Sequence, residues 1–82
     1  MVLRKSPYGT KNKIGVRVAR IRKNRGMKQN QLLAKLQLMG LDFSKPMLSN
    51  LERQRRPVTD FELDALADIL GVSVDWLLGR EE

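Results

Sequence analysis

Ser44-Lys45-Pro46-Met47-Leu48-Ser49-Asn50-Leu51-Glu52-Arg53 reads as a short helix with one thin apolar edge. Leu48 and Leu51 stand three apart and face inward, with Met47 beside them. Lys45, Pro46, Ser49 and Asn50 then point towards solvent. Ser44 supplies a cap. Pro46 falls in the first turn, where a missing N–H costs nothing, although it disfavours helical backbone at Lys45 and sets the start at either of two residues. A helix this short does not stand alone in water, so the rest of the chain must hold it. It is either an ordinary surface helix of a small bundle or a polar probe that the bundle presents.

The flanking segments read as that bundle. Residues 1–11 contain Pro7, Gly9 and scattered Lys and Arg without a period, and are expected to form a flexible basic arm. Asn12 is a candidate cap for a first helix from Lys13 to about Arg25, with Ile14, Val18 and Ile21 as its stripe, widened by Val16 and Ala19. Arg22 borders the buried edge and needs a partner, because an unpaired buried ion is costly. Gly26 closes this helix. A second helix runs from Gln29 to Leu38, with Leu32, Leu33, Leu36 and Met39 as its expected inner face. Lys28 precedes it and is a poor cap, having no acceptor. Gln29 sits beside the free N–H groups of the first turn, where phosphate binds readily.

Gly40-Leu41-Asp42-Phe43 breaks the period, and at least one of Leu41 and Phe43 is expected to plug the core. Beyond the presented helix, Arg53-Gln54-Arg55-Arg56-Pro57 is a basic loop, which suits phosphate contacts or is a solvated charge run. Thr59-Asp60-Phe61-Glu62 is a capping box that opens a fourth helix, Asp60 to Leu70, with Leu63, Leu66, Ala67 and Leu70 inside. Gly71 ends it. Ser73 caps a short fifth helix whose Val74, Trp76, Leu77 and Leu78 belong either to the core or to an interface. Gly79 and a charged tail, residues 80–82, follow. The expected organisation is one all-α domain over residues 12–79.

Charge is distributed unevenly. Residues 1–41 carry eleven Lys and Arg and no Asp or Glu, whereas residues 59–82 carry seven Asp and Glu and a single base, Arg80. With a net charge of +7, one half of the molecule should face a polyanion. Nucleic acid is the first partner this suggests and an anionic membrane the rival. No apolar run approaches the ~20 residues of a membrane span, and residues 1–13 lack the apolar core of a signal peptide. The chain has no Cys and no His, which removes disulfides, thiolate and imidazole chemistry and the common zinc sites. No metal, cofactor or small-molecule ligand is expected, and the absence of Cys fits a reducing cytoplasm.

Three segments in this order carry a resemblance. Ile21-Arg22-Lys23-Asn24-Arg25-Gly26-Met27-Lys28-Gln29, Leu48-Ser49-Asn50-Leu51-Glu52-Arg53 and Leu70-Gly71-Val72-Ser73-Val74-Asp75-Trp76-Leu77-Leu78 are together similar to the lambda-repressor-like (Cro/repressor, Xre-type) helix-turn-helix domains. The resemblance spans roughly residues 13–79. It implies a compact five-helix bundle in which helices two and three form the helix-turn-helix. It further implies that Gln29 touches DNA phosphate, that Lys45, Pro46, Ser49 and Asn50 face base edges in the major groove, and that Arg22 pairs with Glu52. Lys28, Arg53, Arg55 and Arg56 complete the candidate phosphate contacts. Family members usually act as dimers, for which Val74, Trp76, Leu77 and Leu78 are the candidate patch. The sequence departs from the family in three places: Leu33 stands where a small Ala is usual, the turn from Gln37 to Phe43 is longer, and Gln54 replaces a Gly after the third helix.

The expected function is sequence-specific binding of double-stranded DNA by a repressor-like transcriptional regulator, in a bacterial or phage-type cytoplasm at the nucleoid. The alternative is a protein-interaction module, such as an antitoxin-like or repressor-partner protein, using the acidic half or the apolar last helix. Single-strand or RNA binding is a weaker reading, because only Tyr8, Phe43, Phe61 and Trp76 are aromatic and at least two are expected inside. An enzyme is not expected: there is no Gly-rich phosphate loop and no paired carboxylates in an evident cleft.

Overall fold

The computed structural model describes residues 11–81. The five helices are α1 (Gly15–Asn24), α2 (Gln29–Leu38), α3 (Lys45–Glu52), α4 (Asp60–Leu70) and α5 (Val74–Leu77). The expected arm lies outside the described residues except for Lys11, whose N–H donates to the Gln54 carbonyl at 2.9 Å.

Local chemistry accounts for most helix ends. Ser44 Oγ accepts the Met47 N–H, and Ser73 Oγ accepts the Trp76 N–H. Thr59 Oγ1 accepts from Glu62 N while Glu62 Oε1 accepts from Thr59 N, the reciprocal pairing of a capping box. Lys28 makes no side-chain cap. Instead Gln31 Oε1 reaches back to accept the Lys28 N–H at 2.7 Å.

All five C-termini use one device, in which a residue just past the helix, the cap itself in α4 and the next residue in the others, turns left-handed and two N–H groups return to carbonyls of the last turn. Gly26, Gly40, Gly71 and Gly79 fill that position in four helices, with φ between 67° and 86°. α3 ends the same way on Gln54, at φ 61°.

One core forms where α1 and α2 pack against α3 on one side and α4 on the other, with α5 closing it from the α4 side. Val18, Leu32, Leu36, Leu48, Leu51, Leu66, Leu70 and Leu77 are fully buried. The connection from α2 to α3, residues 39–44, is long but anchored. Phe43 is buried, its carbonyl accepts from Gln37 Nε2 at 3.0 Å, and the Arg56 guanidinium lies 5.2 Å over its ring.

Several expectations are corrected. The first helix begins at Gly15 rather than Lys13. Asn12 Oδ1 accepts the N–H groups of both Ile14 (3.1 Å) and Gly15 (2.8 Å), which holds the intervening residues in a turn. Met39 is exposed, because it is the residue on which α2 terminates. Val16 is also exposed, while Leu33 and Leu63 are half-buried at the rim of the core. Ala65, not expected inside, is buried on α4.

Candidate nucleic-acid interface

α3 cannot be its own support. Fixing the backbone of its eight residues opposes folding by roughly 8–16 kcal/mol, against about 3–6 kcal/mol from burying Leu48 and Leu51. Neighbouring elements therefore have to hold it. They do so mainly at its C-terminal end.

The first support is a buried ion pair. Arg22 Nε donates to Glu52 Oε2 at 2.7 Å and Arg22 Nη2 to Glu52 Oε1 at 3.0 Å, with both side chains almost wholly enclosed. Arg22 Nη1 also donates to the Met27 carbonyl at 2.8 Å, and Gln29 Nε2 donates to Glu52 Oε1 at 2.9 Å. A carboxylate in the last turn of a helix faces the negative end of the helix dipole. The bidentate guanidinium and the amide offset that repulsion and satisfy the buried oxygens. The network joins α1, the N-terminus of α2 and the base of α3 in one unit.

The second support is backbone contact between α1 and α3. Gly15 packs so tightly that a Cβ there would stand 2.2 Å from the Leu51 carbonyl oxygen. Asn12 Nδ2 donates to the carbonyls of Leu51 (3.0 Å) and Arg56 (2.8 Å). Gln54 Nε2 donates in turn to the Asn12 carbonyl at 2.9 Å. The segment before α1 is thus stitched across the exit of α3.

The opposite side of α3 is open. Lys45, Pro46 and Asn50 are exposed and Ser49 is half-buried, while Arg53 stands exposed just past the helix. Lys28 is exposed beside the start of α2, and Gln29 is half-buried. The Gln29 amide has a second hydrogen beyond the one given to Glu52. Of the loop arginines, Arg55 is exposed and its N–H donates to the Asn50 carbonyl at 2.8 Å. Arg56 turns inward: it donates to both Glu62 oxygens at 3.1 and 3.3 Å and covers the Phe43 ring.

The expected apolar patch on α5 separates into different environments. Leu77 is fully buried and belongs to the core, so it is removed from the patch. Val74, Trp76 and Leu78 are half-buried and pack against that core. The Arg17 guanidinium lies 4.7 Å over the Trp76 ring.

Sequence reasoning missed the roles of Asn12, Gly15 and Gln54. The one local signal was a non-glycine residue at the end of α3 where relatives place glycine. It also missed Arg25, whose Nε donates to the Leu70 carbonyl at 2.7 Å and covers the end of α4. Among the described residues no helix is long and apolar enough to cross a membrane, and no group of His, Cys, Asp and Glu is arranged to hold a metal ion.

The helix-turn-helix family model HTH_3 matches residues 18–77, which takes in part of α1 and all of α2 to α5. No curated protein and no solved structure matches the chain. The match and the all-helical fold agree, and the chain belongs to the Cro/C1-type, lambda-repressor-like helix-turn-helix family of DNA-binding domains.

Proposed function

We propose that the protein reads duplex DNA sequence-specifically with α3 as recognition helix in the major groove, and regulates transcription by occupying its operator. The observation that carries this reading is the division of α3. Its inner edge and C-terminal base are tied down by Leu48, Leu51 and the Glu52 network, while Lys45, Pro46, Ser49 and Asn50 are left on the outer side. A rigidly held polar helix spends little ordering entropy on binding. Asn50 is suited to pair bidentately with adenine and Lys45 to donate to guanine O6 or N7, each good contact discriminating by about 1–3 kcal/mol. Pro46 offers shape and contact with a thymine methyl.

Gln29, Lys28, Arg53 and Arg55 are assigned to phosphates, which set register and orientation without reading sequence. Arg56 is given a bracing role, because Glu62 and Phe43 already engage it. Two copies on half-sites about 34 Å apart would double the contacts, with the half-buried Val74, Trp76 and Leu78 as the candidate dimer surface.

Selection of duplexes from a random pool, followed by binding of the winner at two salt concentrations, tests the proposal. A pseudo-palindromic winner, strongly preferred over random duplex and bound with a steep salt dependence, is the expected result. Weak binding without preference would leave a basic surface and no reader.

A further inference from the structure

Between α1 and the two helices of the motif lies an open groove of about 440 Å³, lined by Arg20, Lys23, Gln29, Ser49, Glu52 and Arg53 among others. Arg20 and Lys23 stand three apart on α1, so both project from one face of that helix. Both are exposed, as is Arg53. The acid in the groove, Glu52, is nearly enclosed and already accepts from Arg22 and Gln29 through both oxygens. Among the described residues the ion pairs are Arg22–Glu52 and Arg56–Glu62, so the cations of the groove mouth are not neutralised by an acid. The groove is therefore a concave surface with three exposed cations around an enclosed, internally hydrogen-bonded floor. Its third wall is the half-buried Ser49 of α3.

We propose that this groove seats the sugar–phosphate backbone of the duplex beside the bases that α3 reads, with Arg20 and Lys23 as phosphate ligands. The inference rests on the reading of the protein as a duplex binder and adds α1 to its footprint. Charge argues for an anion. Position argues for the backbone of the same duplex, because Ser49 and Arg53 line the groove and border the outer side of α3. The floor also gives Gln29 a defined role: it lines the groove and gives one amide hydrogen to Glu52, which leaves the second for an anion seated there.

Binding of the full chain to its selected duplex and to random duplex should be measured across salt for Arg20→Gln, Lys23→Gln and the double variant. Lys35→Gln serves as comparison, because Lys35 is exposed on α2 and lines a different cleft. Each lost phosphate contact lowers the slope of log affinity against log salt by about 0.9. The double variant's slope should fall by about 1.8, so that its deficit relative to the parent shrinks roughly 12-fold between about 50 and 200 mM salt. Selected and random duplexes should weaken by the same factor, and the thermal melting curve should not move. Lys35→Gln should leave the slope close to that of the parent.

An unchanged slope in the double variant, or an equal change in Lys35→Gln, overturns the proposal. So does saturable binding of inorganic phosphate that the double variant loses while its duplex slope stays the same, which would make the groove a small-anion site. A parent chain that prefers no duplex sequence refutes the functional reading itself. A parent that discriminates sequences while the double variant keeps its slope refutes only the groove.

Discussion

Gln54 is the position where the chain accepts backbone strain, and substitution there tests how α3 is held. At φ 61° a side chain with a Cβ crowds its own carbonyl, which costs about 1–2 kcal/mol relative to the right-handed conformation. Glycine removes that cost but adds freedom to the unfolded chain. Against the strain stands the 2.9 Å hydrogen bond from Gln54 Nε2 to the Asn12 carbonyl, a contact of about 0.5–1.5 kcal/mol. The 2.9 Å bond from Lys11 N–H to the Gln54 carbonyl uses backbone only and survives substitution.

Gln54→Ala keeps the strain and loses the side-chain bond, so it should be about 1 kcal/mol less stable than the parent. Gln54→Gly loses the same bond but relieves the strain, and should lie within about 1 kcal/mol of the parent. The informative quantity is the difference between the two variants. Glycine should exceed alanine by about 1 kcal/mol, near 4–8 °C in Tm for a domain of this size. Urea unfolding followed by circular dichroism, with thermal melts alongside, measures it. Alanine as stable as glycine would refute the argument that left-handed backbone at residue 54 carries a cost. Alanine as stable as the parent would refute the claim that the Asn12 latch contributes.

Other substitutions probe the same framework. Asn12→Ala removes four hydrogen bonds, two that turn the chain into α1 and two that reach the exit of α3, and should cost about 2–4 kcal/mol in chemical denaturation. Gly15→Ala forces a Cβ into the Leu51 carbonyl; a loss of about 1–3 kcal/mol is expected, and a neutral result in the same melts would refute the close approach. Arg22→Met strands the enclosed Glu52 and should cost about 3–5 kcal/mol, whereas Arg22→Met with Glu52→Leu should recover much of that loss; a double variant as unstable as the single would contradict this. Asn50→Ala should relax preference at one base pair in a selection experiment, while Arg53→Gln should weaken all duplexes alike and lower the salt slope by about 0.9. Leu77→Ala should lower unfolding stability by about 2–5 kcal/mol at every protein concentration, as expected for a core position.

Helix content and helix ends were readable from sequence because their causes are local. Ser44, Thr59 and Ser73 cap from within three residues of the N–H they accept, and Gly26, Gly40, Gly71 and Gly79 stand where a left-handed turn is needed. The spacing of Leu48 and Leu51 likewise set which side of α3 faces in, and so which side remains to meet a partner. Periodicity was less informative at the margins. Met39 shares the spacing of its stripe yet is exposed, because α2 ends there, whereas Val16 stands two residues from both Ile14 and Val18 and so faces away from the stripe of α1.

Tertiary structure decided what depends on residues far apart in the chain. Asn12 looked like a simple cap, but its amide joins residues 14 and 15 to residues 51 and 56. Gly15 carries no sequence signal until the carbonyl of Leu51 is set against it. Three basic residues in one loop read alike, yet Glu62 and Phe43 draw Arg56 inward while Arg53 stays exposed. Trp76, Leu77 and Leu78 are consecutive and apolar, and only packing against the core buries Leu77 completely while leaving its neighbours partly open. The basic groove, too, exists only once α1 lies across the motif. A local pattern specifies backbone conformation and which face is apolar. Which distant atom meets each polar group is set by the packing of whole helices, and that is where the support of α3 resides.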